Sequence, residues 1–238
     1  MPKVFVYLLF FLTLFTLNGC VTKADADGQE MRFDPRYLVK TDIDRVIDAS
    51  RAEVMTGLRR VAEKLYRRNP AEWKKSGQPS LDAALDRLFS RSVDFPELNG
   101  RQEGAAVLYA FSAEYPGDRV LAVMAGLSGM VDAAFEHKDF FYVLDGLDER
   151  KLYNCARNIE IAVWKMSSTR GADGRVLLVS NELDRDNPNL SFEREFGRVI
   201  GLLDFLATIV ADQHGRTITR LTQNVATAVF LPVGALGF

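Results

Sequence analysis

The sequence predicts a mostly α-helical fold: a single-domain bundle of about six helices, with at most a short extended segment or hairpin near residues 159–180. Three observations carry this expectation. Apolar residues recur at steps of three and four over long stretches, the spacing that places side chains on one helix face. Helix-capping residues stand at the starts of several of these stretches, and proline or glycine near their ends. The 238 residues are 47% apolar and 26% charged, which is enough apolar material for one sizeable core.

The chain opens differently. After Lys3 comes the apolar run Val4–Leu17, broken only by Thr13 and Thr16. At a helical rise of about 1.5 Å per residue it would be roughly 21 Å long, short of a bilayer core of about 30 Å. A signal-peptide core fits it better than a spanning helix, and the small Gly19 before Cys20 completes a processing pattern. Leu17-Asn18-Gly19-Cys20 resembles the lipobox of the bacterial lipoprotein class, whose precursors are substrates of signal peptidase II. The resemblance implies removal of residues 1–19 and acylation of Cys20, palmitate included. It also implies retention in the cell envelope. Because Val21 is not the aspartate that holds such proteins at the inner membrane, it implies an outer-membrane location facing the periplasm. Several acyl chains make such attachment effectively permanent, whereas one chain is marginal.

Residues 20–36 are small, polar and charged, too poor in apolar groups to fold alone, and read as a flexible tether. Roughly 15 such residues reach about 20 Å, which keeps the following domain close to its membrane. Residues 37–238 are then the α-helical periplasmic domain.

Within it, Thr41-Asp42-Ile43-Asp44 has the form of a capping box. Ile43, Ile47, Ser50, Val54, Leu58, Val61 and Leu65 draw one buried stripe, ended at Asn69-Pro70. A second helix is expected from Ser80 to Arg91 and a third from Gln102 to Tyr115. Pro116-Gly117-Asp118 turns the chain into a fourth, from Arg119 to His137. The uncharged run Val120–Val131, with Ala122, Ala125, Gly126 and Gly129, reads as a central helix closely approached by its neighbours. After the aromatic connector 139–144, Leu147, Leu152, Cys155, Ile159, Val163 and Met166 keep a helical period. A hairpin is the rival, because Ile159, Ile161 and Val163 alternate ahead of Gly171-Ala172-Asp173-Gly174 and the apolar stretch 176–179. Ser191 is expected to cap an apolar helix to about Asp212. Gly215 separates this from residues 217–230 and an apolar tail that reads as a core-packing helix, with a membrane-contacting or partner-docking tail as the alternative.

The residues that would carry chemistry are sparse. His137 and His214 stand far apart without a metal-ligand pattern and read as helix-end residues. Gly126-Leu127-Ser128-Gly129 lacks nucleophile-elbow spacing. Asp184–Asn189 has clustered oxygen ligands, but Pro188 and Asn189 break a calcium-loop pattern and turn chemistry accounts for it. No cofactor or metal is expected. With Cys20 acylated, Cys155 has no disulfide partner and reads as a small core hydrophobe.

A net charge of −2 excludes a general nucleic-acid binder. Locally, however, Arg59, Arg60, Lys64, Arg67, Arg68, Lys74 and Lys75 face only Glu63 and Glu72, a stretch able to contact an anionic surface. The expected function is that of an interaction or structural component of the envelope, joined to the membrane through Cys20 and possessing an envelope protein partner. A helical carrier of an apolar ligand is the alternative, suggested by the Gly/Ala-rich central helix and Phe140-Phe141-Tyr142. An enzyme using carboxylates drawn from Glu103, Glu114, Asp132 and Glu195 is the third.

Overall fold

A computed structural model describes residues 40–90, 94–181, 189–215 and 229–234, together with the backbone of Lys23–Ala24 and Glu30–Met31. The signal stretch, Cys20, most of the tether, the loop 184–188 and residues 217–228 lie outside the described residues. The chain divides into Met1–Thr41 and Asp42–Phe238. In the first unit, β1 (Lys23–Ala24) pairs antiparallel with β2 (Glu30–Met31).

The second unit is a single mostly α-helical bundle, as the apolar spacing predicts. Its helices are α1 (Asp42–Arg68), α2 (Pro70–Lys75), α3 (Leu81–Leu88), α4 (Glu103–Ala110), α5 (Arg119–Ala134), α6 (Glu149–Ser168) and α7 (Ser191–Gln213). Helices α1, α5, α6 and α7 form a ring: α1 packs on α5 and α7, and α6 closes the circuit between them. Helix α4 lies along α5, while α2 and α3 pack on α1 and α5. The stripe Ile47, Ser50, Val54, Leu58, Val61 and Leu65 is buried, and Ile43 sits at its edge.

Helix α5 is the centre of the core, with Val120 to Met124, Leu127, Met130 and Val131 almost wholly removed from water. Its small residues have a packing role. A Cβ on Gly126 would stand 2.5 Å from the Glu103 carbonyl oxygen and 2.7 Å from Val107 Cγ2, so glycine is what lets α4 approach. Asp118 caps α5, accepting from Leu121 N–H at 2.9 Å, and is itself buried under the Tyr66 hydroxyl at 2.9 Å.

Several boundaries differ from the sequence expectation. Pro70 ends α1 but also opens α2, where its fixed φ and missing N–H suit the first turn. Helix α3 stops at Leu88 rather than Arg91. Helix α4 stops at Ala110 rather than Tyr115, because the Arg119 guanidinium takes the carbonyls of Ala110 and Ser112 and leads the chain into α5. Helix α5 stops at Ala134 rather than His137, since Glu136 and His137 both adopt left-handed backbone angles. Residues 149–168 are helical, so the alternation at 159–163 does not produce a strand. The extended element follows, as one antiparallel bridge between Arg170 and Val176 around the Gly171–Gly174 turn. Ser191 is the first residue of α7, not its cap, and its N–H is held by the Asn189 carboxamide oxygen at 3.1 Å. Where the tail is described, at 229–234, it packs into the core through buried Val233 but is not helical, consistent with Pro232 lacking the N–H a helix needs.

Candidate functional site

A groove runs along the side of α5. Arg51, Met55 and Arg59 of α1 form one wall, Leu88 and Phe89 at the end of α3 another, and Ala125, Ser128, Gly129 and Asp132 of α5 the floor. His137 and Asp139 close one end, and the volume is about 750 Å³, within the range of small-molecule sites. A second cavity of about 300 Å³ shares Phe95, Ala125, Gly129, Asp132 and His137 and extends to Arg101 and Glu103.

At the closed end, Arg51 is clasped between two aspartates: Nη2 donates to Asp132 at 3.0 Å and Nη1 pairs with Asp139 at 2.8 Å. Only 12% of the Arg51 side chain is exposed, so these two carboxylates offset the cost of burying its charge. The second oxygen of Asp132 lies 2.7 Å from His137 Nδ1. A carboxylate only accepts, which puts the hydrogen on Nδ1 and orients the imidazole. Among the described residues, Ser128 Oγ and Arg51 Nε are buried without a hydrogen-bond partner, two polar atoms on residues that line this groove. Strain gathers nearby. The non-glycine residues with positive φ among the described residues are Asn99, Glu103, Glu136 and His137, of which Glu103 and His137 line the cavities.

The groove offers apolar contact with Met55, Phe89 and Phe95 and a polar end formed by Asp132, Asp139 and the exposed His137. Of the carboxylates named from sequence, Glu103 and Asp132 meet at the second cavity. Glu114 is exposed in a loop, and Glu195 lies across the bundle, 3.4 Å from both Arg60 Nε and Lys64 Nζ. Among the described residues, no group of three or more His, Cys, Asp or Glu side chains could hold a metal ion.

The basic stretch is distributed over several partners. Arg59 pairs with Asp86 at 2.6 Å and lies over the Phe89 ring. Arg60 pairs with Glu53, Arg67 with Glu63 and Lys75 with Glu72, while Lys74 lies over Trp73. Lys64 and Arg60 share Glu195 of α7, and Arg68 ends α1. Their charges are thus largely matched within the fold rather than gathered on one face.

Sequence reasoning missed Arg51, Asp139 and the link from Asp132 to His137. The available signals were a lone cation beside the buried α1 stripe and the five-residue step from Asp132 to a histidine that follows a helix end. Cys155 is fully buried and free, and burial pushes its thiol well above the ordinary value. No protein-family model, curated protein or solved structure matches this chain.

Proposed function

We propose that this chain is a lipid-anchored protein of the bacterial envelope whose helical domain is an interaction component, with the α5 groove as its binding site. The anchor rests on Leu17-Asn18-Gly19-Cys20 and the apolar run before it. The observation that carries the binding role is the groove itself, where Arg51, Asp132, Asp139 and His137 form a connected polar network beside two unpartnered buried polar atoms. His137, which lines the groove, holds a left-handed backbone conformation that costs on the order of 1 kcal/mol, a strain that a purely architectural bundle does not need.

Among the described residues, no helix is long and apolar enough to cross a membrane. The test compares the chain with Cys20→Ser by radiolabelled palmitate incorporation and cell fractionation. The wild type takes up label and sediments with membranes, whereas the variant does neither. Identical labelling and partition of the two proteins would overturn the anchor.

A further inference from the structure

The connector between α5 and α6 forms a tight turn over Tyr142–Asp145. The Asp145 N–H donates to the Tyr142 carbonyl at 2.7 Å, and the Tyr142 N–H donates to the Asp145 carboxylate at 2.9 Å. Asp145 is also paired with Lys138. Turn corners ordinarily carry Gly, Asn, Asp or Ser. Here they are Val143 and Leu144, 59% and 95% exposed, and Phe140 beside them is 50% exposed. Phe141, by contrast, is wholly buried and anchors the loop. Large apolar groups held outward on a rigid turn mark a contact surface rather than incidental exposure.

The position of the loop identifies the surface. Its backbone is fixed to the first turns of α1, with Phe141 N–H donating to Asp48 at 2.8 Å and Asp139 paired with Arg51. Asp48 is six residues, or about 9 Å, from the start of α1, while the whole 27-residue helix is about 40 Å long. The loop therefore sits at the pole where the chain from Cys20 joins the folded body. Only 21 residues separate Cys20 from Asp42, so the start of α1 is the part of the folded body nearest the anchor along the chain.

We propose that Phe140–Leu144 is a second membrane contact, placing Val143 and Leu144 in the lipid surface that holds Cys20; the proposal rests on the lipoprotein reading above. Within the turn the Tyr142 N–H, the Tyr142 carbonyl and the Asp145 N–H are hydrogen-bonded, and the loop's charges are paired as Arg51–Asp139 and Lys138–Asp145. Contact is then apolar and indifferent to lipid charge. It orients the bundle upright, with the Arg59–Lys75 stretch directed away from the bilayer.

The cysteine inventory makes the test clean, since acylated Cys20 and buried Cys155 leave a new surface thiol as the reactive one. The full chain carrying Leu144→Cys or Val143→Cys is labelled with bimane and reconstituted through its acyl chains into phosphatidylcholine vesicles containing a lipid spin-labelled high on the acyl chain. Ala71→Cys, exposed just beyond the far end of α1, serves as the reference. We expect several-fold stronger quenching at 143 and 144 than at 71, unchanged when phosphatidylglycerol or salt is added. Equal, weak quenching at all three positions, in protein whose mass shows the acyl chains, overturns the loop contact and leaves the anchor standing. Stronger quenching at 71 that depends on phosphatidylglycerol overturns it in favour of the basic stretch. A mass without acyl chains overturns both readings.

Discussion

Asn158 holds Leu231 from both sides: its carboxamide oxygen accepts from the Leu231 N–H at 2.6 Å, and its Nδ2 donates to the Leu231 carbonyl at 2.7 Å. A residue on α6 thereby imitates a neighbouring strand and ties the segment 229–234 to the bundle. Asn154 adds a bond to the Pro232 carbonyl at 2.8 Å, and Val233 fills the core beneath. Asn69 repeats the device at the end of α1, exchanging bonds of 2.8 and 2.9 Å with the backbone of Val179. In both places an extended segment without a sheet has its polar backbone satisfied by one carboxamide.

Replacing Asn158, which is fully buried, should release this segment. Asn158→Ala is expected to cost about 2–3 kcal/mol, because the partners left in place lose hydrogen bonds that buried groups require. Urea unfolding measures the cost, and native-state hydrogen exchange should show the Leu231 amide losing protection well before the α6 amides do. Asn158→Asp keeps an acceptor for the Leu231 N–H and should restore part of that protection. Protection unchanged in Asn158→Ala would mean that the segment is held by Val233 alone.

Helical glycines in this fold should respond to alanine in opposite directions. Around Gly197 and Gly201 of α7 no atom of the described residues lies within 4 Å of the place an alanine methyl would take, so alanine there gains helix propensity, about 0.5–1 kcal/mol each. Gly126→Ala must move the backbone of Glu103 and the side chain of Val107, and should destabilise by about 1–3 kcal/mol despite the same propensity gain. Gly129→Ala meets only Glu103 at 3.8 Å and belongs with the stabilising pair. Thermal unfolding of the four variants checks the order, and a stabilising Gly126→Ala would remove the close α4–α5 approach from the explanation of the fold.

The contrast between these glycines shows what the sequence could disclose. Spacing alone located α1, α5, α6 and α7, because each buries a stripe whose period is a property of local geometry. It also marked Gly126 and Gly129 as small residues on a central helix, but which one touches α4 depends on the rotation of two helices that are separate in sequence. The groove was illegible for the same reason. Arg51 and Asp132 are 81 residues apart, and nothing near either residue signals the other. The short α2 was hidden because Pro70 is an equally good stop and start. The Asn clamps were hidden because a lone asparagine in a helix has no periodicity to report.

Arg87 grips Glu97 with two hydrogen bonds, at 2.7 and 3.0 Å, across the turn from α3. Partial burial draws the Glu97 carboxyl upward, but the Arg87 fork and a bond from its own backbone outweigh this and leave it below the ordinary value of 4.5. A depressed folded-state value means that the stabilisation is fully present above the unfolded value and disappears as pH falls through the folded one. The stability difference between wild type and Glu97→Gln should thus be constant near neutrality and shrink below about pH 4.5. Asp118, raised by burial, acts in the opposite sense, with stability lost as pH rises through its folded value. Comparing the two proteins at each pH isolates Glu97 from it. A difference independent of pH down to strongly acid solution would show that the pair contributes through shape rather than charge.

Cys155 offers a direct measure of how tightly α6 is seated. Its sulfur is wholly buried, and desolvation holds the thiol in its protonated, unreactive form at neutral pH. Reaction with an aromatic disulfide reagent should be negligible in native protein and should proceed only through opening of the bundle. Its rate should therefore rise with urea in step with loss of helicity, and should be faster in Gly126→Ala than in wild type, because the overpacked α4–α5 contact lowers the stability of the bundle. In Cys20→Ser, where the only thiol is Cys155, the native protein should stay as unreactive as the acylated one. Fast modification without urea would place Cys155 at a surface and contradict the packing of α6 against α5.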